Sequence, residues 1–191
     1  IFNFEFDQMS YLKRDTFPMY YFYPDSKFYK NDNKFINQLD IVIVHAPSSP
    51  IIKGTQLVRA AIDKLLSEGY KFKYVEFIES PNVEVLEQLR EASIVLNEFY
   101  SFAPGLFGVE AMASHCALLT SADEEVELSL PRGSNKAWMV TKHYEVYDNL
   151  KELLDSPSLA KQYADSGYEW ALEHAAISST GKKLENKLNK L

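Results

Sequence analysis

The sequence predicts a doubly wound α/β fold, a parallel sheet with helices on both faces, and three observations predict it. From position 41 onward, apolar runs of four to seven residues alternate with longer stretches whose apolar residues recur at helical spacing. Turn signals such as Ser-Pro-Asn and Pro-Gly fall between these runs. The apolar runs are nearly continuous rather than alternating, as strands buried on both faces require.

Residues 1–39 stand apart. DTFPMYYFYPDSKFYKNDNKF is crowded with aromatics, Pro, Asp and Asn and keeps no period of two or 3.6. It reads as an irregular lead-in with one short strand, its aromatics packed onto a surface. Residues 40–191 read as the folded domain. Ile41–Val44 is the first buried strand. Leu57, Val58, Ala61, Ile62, Leu65 and Leu66 then make one face of a helix over Thr55–Glu68, with Thr55 as N-cap and Gly69 as the stop. FKYVEFI (72–78) is the second strand, followed by a helix carrying Val83, Leu86 and Leu89 on one face. SIVLNEF (93–99) is the third, GVEAMAS a helix, and CALLTS (116–121) and KAWMVT (136–141) the fourth and fifth strands. Helices over Tyr144–Leu154, Ser158–His174 and Ala176–Leu191 complete the chain.

Composition sets the outer limits. The 191 residues suffice for one large or two small domains with a substantial core. A net charge of −7 argues against a long basic surface for nucleic acid. Any bound phosphate must then be held by local geometry. The single cysteine, Cys116, rules out an intrachain disulfide and reads as a buried, inert thiol in a reducing compartment. No apolar run approaches the roughly 20 residues that span a bilayer. The opening IFNFEF has neither an initiator Met nor a signal-peptide layout, so the chain reads as a fragment or processed form whose beginning lies elsewhere.

In doubly wound folds ligands bind at the carboxyl ends of the strands, near the point where strand order reverses. The loops that matter are therefore HAPSSPIIKG, ESPN, NEFYSFAPGLFG, and SADEE to PRGS. In the first, Lys53 lies between a strand end and a helix start, where unpaired N–H groups and a cation favour phosphate. Taken alone it fits a solvated loop lysine equally well. Its order, Lys-Gly-Thr, is not the Gly-Lys-Thr of a P-loop, which disfavours a nucleoside triphosphatase. In the third loop, Gly105 and Gly108 flank Leu106 and Phe107 before a helix and let backbone amides approach a ligand. Glu110, in the first turn of that helix, either complements the helix dipole or accepts hydrogen bonds from vicinal hydroxyls. Asn97 and Glu98 end the third strand, and His45 ends the first.

Together, HAPSSPIIKGT and, about fifty residues on, GLFGVEAMA resemble the C-terminal domain of GT-B glycosyltransferases, particularly the large retaining group called family 4. The resemblance covers about residues 40–191, with the tail DSGYEWALEHAAISSTGKKLENKL similar to the closing helices. It implies a Rossmann-like domain, one half of a two-domain architecture, with residues 1–39 an interdomain remnant. It implies that Lys53 contacts the donor diphosphate, that Gly105, Leu106, Phe107 and Gly108 offer amides to phosphates or sugar, and that Glu110 binds ribose hydroxyls. His45 and Ser48 are counted with these donor contacts, and Glu98 and Glu110 as the catalytic carboxylates.

The implied donor is a UDP- or GDP-sugar, and the acceptor a saccharide or lipid-linked glycan held by an N-terminal domain of the same protein. The resemblance implies no metal or other cofactor, and the absence of any Asp-x-Asp pair or cluster of metal-ligand spacing is consistent with that. Bacterial polysaccharide synthesis in the cytoplasm or at the inner membrane face is the implied setting, with the full-length protein peripheral to the membrane. The chain departs from the family pattern at three places. Ser48 and Ser49 stand where many members carry an arginine, Phe102 stands where the first of two spaced glutamates is usual, and His115 and Ala117 replace Gly and Pro. Three alternatives stay open: a degenerate binding module, a nucleotide-sugar epimerase on the same fold, and an unrelated phosphate-binding α/β protein. His115 reads as structural, and Arg132 as a surface-loop residue within reach of a nucleotide.

Overall fold

A computed structural model describes residues 2–3, 17–18, 21–37 and 41–189. Its main sheet has five parallel strands, β3 (Val42–His45), β4 (Lys73–Glu76), β5 (Ile94–Leu96), β6 (Ala117–Thr120) and β7 (Met139–Val140), in the order β4-β3-β5-β6-β7. Two further strands of two residues, β1 (Phe2–Asn3) and β2 (Phe17–Pro18), pair in parallel with each other. The chain thus begins the main sheet inside it, adds one strand on one side, then reverses and adds three on the other. The reversal falls between β3 and β5, which are direct neighbours from Ile43↔Ile94 to His45↔Leu96.

Because side chains alternate along a strand, each strand supplies both cores. Val44, Val95 and Leu118 point to one face, where α2 (Asn82–Glu91), α3 (Gly105–Ala113) and Trp170 and Ala171 of α5 (Pro157–His174) cover them. Ile43, Ile94, Leu96, Leu119 and Met139 point to the other, beneath α1 (Thr55–Ser67) and α4 (Val146–Asp155). The chain closes with α6 (Ile177–Leu188). No helix among the described residues is long and apolar enough to cross a membrane.

Several elements differ from expectation. Thr55 is the first residue of α1 rather than its cap; Gly54 precedes it in the left-handed region at φ 69° and caps without a side chain. Gly69 does end that helix region, at φ 93°. The buried face of α2 carries Val85 and Leu89, whereas Val83 is exposed. Helix α3 starts at Gly105, one turn earlier than GVEAMAS suggests. The fifth strand shortens to two residues because Ser134–Lys136 form a 3-10 turn after left-handed Gly133. Trp138, just beyond that turn, donates its indole N–H to the Ala122 carbonyl at 2.8 Å.

Of the lead-in expected over 1–39, residues 1, 4–16, 19–20 and 38–39 lie outside the described residues. The described stretch 21–37 packs on the domain. Tyr23 forms a parallel bridge with Ala176, and the Tyr29 amide donates to the Ala113 carbonyl at 2.9 Å. Lys34 is buried, and its ammonium donates to the carbonyls of Leu89 (2.8 Å) and Ser114 (2.6 Å), at the C-terminal ends of α2 and α3. A cation there meets carbonyls that have no partner within their own helices.

Candidate functional site

The strand reversal directs attention to the loops after β3 and β5. Residues 50–54 form a tight turn in which the Lys53 amide bonds Ser49 and the Thr55 amide bonds Pro50. The turn aims the Lys53 side chain inward, where only 8% of the residue is exposed. Its ammonium lies 3.0 Å from Glu98 Oε2 and donates to Asn97 Oδ1 at 3.0 Å. Asn97 in turn donates from Nδ2 to the Pro104 carbonyl at 2.7 Å, which fixes the residue just before α3. The loops after β3 and β5 are therefore bolted together by one lysine and two neighbouring residues.

Helix α3 begins where this bolt ends. Its first amides, those of Gly105, Leu106 and Phe107, have no acceptor one turn back, as at any helix start. Gly105 sits at φ 62°, in the left-handed region, which a glycine occupies without strain. Gly108 does not serve as a ligand-facing amide. Its N–H donates to the Pro104 carbonyl at 3.1 Å, and a Cβ there would meet Pro104 Cβ at 2.8 Å, so this glycine is required for packing.

A cleft of about 280 Å³ opens beside these groups, lined by Ser48, Lys53, Phe77, Asn82, Phe107 and Glu110 among others. Glu110 is 6% exposed, and its Oε1 accepts from Asn82 Nδ2 at 3.2 Å. Burial raises the pKa of its carboxyl, while the Asn82 hydrogen bond and the charge of Lys27 pull it partway back. Phe77, Val85 and Phe107 supply an apolar wall, and Lys53 Nζ lies 5.8 Å from the Phe107 ring centroid. Glu79, on the rim, is held at φ 51°, an uncommon conformation for a residue with a side chain.

Two other expected residues sit elsewhere. His45 is fully buried, with Nδ1 2.8 Å from the Leu96 carbonyl and Nε2 3.0 Å from Thr55 Oγ1. With both nitrogens engaged inside the fold, it positions the cleft wall rather than facing a ligand. Burial also lowers its pKa and keeps the ring neutral. The Leu106 side chain is exposed beyond the cleft lining. Glu98 faces Lys53, while Phe102, where a family carboxylate is usual, is exposed.

His115 is structural. It is buried in the left-handed region at φ 59°, its Nδ1 3.2 Å from the Asn31 amide and 3.0 Å from the Asn31 carbonyl, and its Nε2 2.9 Å from Asp165. Asp32, His115 and Asp165 bring potential metal-ligating atoms together. The two carboxylates, however, already share the ammonium of Lys161, and Asp165 also pairs with Lys30. Burial raises the Asp165 pKa, but hydrogen bonds from Lys161, His115 and Lys30 outweigh this and hold it well below the usual carboxylate range. Arg132 lines a separate, larger cleft of about 450 Å³ with Trp170 and Glu173, which shares no lining residue with the Glu110 cleft.

Sequence reasoning singled out the ESPN loop without naming a residue in it. Asn82, the partner of Glu110, comes from that loop, and Phe77 and Val85 flank it. The signal was the loop's place after the second strand. Taken together, the site offers one buried cation, a helix start rich in free amides, a buried carboxylate beside an amide, and an apolar wall. That set can bind an anion, hold hydroxyl groups and cover an aromatic ring.

No family model and no curated protein matches the sequence. Solved structures do match. Sucrose-phosphate synthase from Thermosynechococcus elongatus superposes over 99% of this chain and 57% of its own, with a TM-score of 0.68 and 14% identity. Anabaena HepE, determined in complex with UDP and glucose, covers 92% of this chain and 57% of its own, with a TM-score of 0.61 and 14% identity. The C-terminal domain of the group 1 glycosyl transferase LpcC from Francisella tularensis covers 77% of this chain and 95% of its own, with a TM-score of 0.51 and 20% identity. The fold is therefore that of the C-terminal Rossmann-like domain of GT-B glycosyltransferases. The chain spans little more than half the length of sucrose-phosphate synthase and HepE.

Proposed function

We propose that this domain is the donor-binding half of a glycosyltransferase and holds a nucleoside diphosphate sugar in the cleft lined by the loops after β3 and β4 and by α3. The observation that carries the reading is the convergence of Lys53, the start of α3 and Glu110 on one cleft at the strand reversal. In this reading Lys53 and the Gly105–Phe107 amides meet the diphosphate, Glu110 accepts from the ribose hydroxyls, and Phe77, Val85 and Phe107 cover the base. Departure of the nucleoside diphosphate builds negative charge, which a fixed cation and fixed N–H donors stabilise best in a dry site. In this reading no metal is needed for that role. The acceptor, a saccharide or lipid-linked glycan, would be held by the remainder of a longer protein. The HepE complex with UDP and glucose supports a uridine nucleotide as the first ligand to try.

A second reading, a binding module without turnover, is favoured by one observation: Phe102 is an exposed ring at a position where the family usually has a carboxylate. The experiment that tests the first reading is calorimetric titration with UDP, GDP and ADP, beside Lys53→Ala and Glu110→Ala. Selective binding of one diphosphate, weakened roughly tenfold or more in each folded variant, supports it; hydrogen bonds to charged groups contribute about 1.5–3 kcal/mol each. Undiminished binding in both variants sinks it. A full-length protein that binds donor without transferring sugar would establish the second reading.

A further inference from the structure

We propose that Glu98 is an internal anion that holds the phosphate-binding cation, and that a diphosphate entering the cleft must displace it. The inference rests on the anion-binding reading of the site given above.

Three observations carry it. Glu98 Oε2 lies 3.0 Å from Lys53 Nζ, with the two side chains 9% and 10% exposed, so water screens the pair little. The other oxygen of the same carboxylate lies at the head of α3, where a Cβ built on Gly105 would be 3.2 Å from it. Lys53's other hydrogen-bonding partner is the neutral Asn97. One carboxylate therefore stands against both features that an external phosphate needs, the ammonium and the first turn of α3.

A phosphate and Glu98 cannot both sit there, because two anions at contact distance in a dry cleft repel strongly. The geometry also allows the exchange. The Glu98 carbonyl is held by the Ser121 amide at 2.9 Å and by Thr120 Oγ1 at 3.2 Å, so the backbone is anchored while the side chain turns on its own bonds. Gly105 has no side chain to crowd the carboxylate, whose Oε1 a Cβ there would meet at 3.2 Å. Glu98 thus keeps a buried lysine paired and sets the threshold that an incoming anion must exceed. That is a positioning role, different from contact with the sugar.

The test is titration of the full chain with inorganic pyrophosphate and with UDP, comparing wild type with Glu98→Gln, which keeps the shape and removes the charge. Glu98→Gln is expected to bind pyrophosphate about tenfold tighter, within the range usual for coupled sites. Equal or weaker pyrophosphate binding by the folded variant overturns the proposal, as does an absence of binding by both proteins at millimolar ligand. If Glu98→Gln fails to fold, Glu98→Asp serves instead: it withdraws the carboxylate by one methylene and should show a smaller gain, with no gain counting against the proposal. A tighter pyrophosphate complex with no preference for UDP over pyrophosphate would uphold this role for Glu98 and overturn the nucleotide reading.

Discussion

His45 Nε2 lies 3.0 Å from Thr55 Oγ1, while Nδ1 of the same ring lies 2.8 Å from the Leu96 carbonyl. A carbonyl only accepts, so Nδ1 carries the proton and Nε2 accepts from the threonine hydroxyl. One neutral ring thereby joins the ends of β3 and β5 to the start of α1. Burial depresses its pKa below the ordinary 6.5, outweighing the Leu96 bond and the attraction of Glu76. The unfolded chain then binds more protons than the folded one just below pH 6.5. Stability from this residue is complete above that value and lost as pH falls beneath it. Urea unfolding at pH 7.5 and 5.5 should show lower stability at 5.5, with a smaller drop in His45→Gln. His174, also depressed by burial, acts in the same direction and accounts for part of the remaining drop.

Two glycines should respond oppositely to alanine. At Gly108 the added methyl would sit 2.8 Å from Pro104 Cβ and 3.0 Å from Asn97 Nδ2, in a buried corner with no free space. Overpacking of that kind costs about 1–3 kcal/mol, so Gly108→Ala should lower the melting temperature and weaken anion binding through Asn97. At Gly181, within α6, nothing lies within 4 Å of the added methyl. Gly181→Ala should raise stability by about 0.5–1 kcal/mol. Thermal denaturation of the two variants side by side checks both signs.

Lys34 should matter more than a lysine in an aromatic-rich, irregular segment suggests. Its ammonium satisfies carbonyls at the ends of two helices, and burial lowers its pKa. Lys34→Met keeps the length and apolar bulk but leaves those carbonyls only the weak thiol donor of Cys116. Losing a charged donor to buried acceptors costs about 1–3 kcal/mol, and the loss should appear in equilibrium unfolding. Nucleotide affinity should be unchanged, because Lys34 is not among the residues lining the Glu110 cleft.

The sheet was legible because its strands are buried on both faces and read as continuous apolar runs: Ile43 and Val44, Ile94 to Leu96, and Ala117 to Leu119 are all hidden. What was not legible depended on side chains reaching across the fold. Thr55 has the chemistry of a helix cap, yet its hydroxyl serves His45 and Gly54 takes the cap position. Gly108 has the look of a ligand-facing glycine, yet Pro104 and Asn97 leave it no room. Lys53 and Glu98 were each visible as loop residues, but their pairing spans 45 positions and has no local signature. Asn82, at the start of α2, became meaningful only beside Glu110, which belongs to α3.

The clasp between the early and late segments has a mechanical consequence. The Tyr23 amide bonds the Ala175 carbonyl at 2.8 Å, the Ile177 amide bonds the Tyr23 carbonyl at 3.0 Å, and Asp25 takes up both the amide and the hydroxyl of Ser178. The two stretches run parallel, so a pull applied at residues 21 and 189 drags them past each other lengthwise. These bonds then bear load together rather than opening one by one. Stretched between those points, the domain meets this shear clasp before any force reaches the strands that frame the cleft.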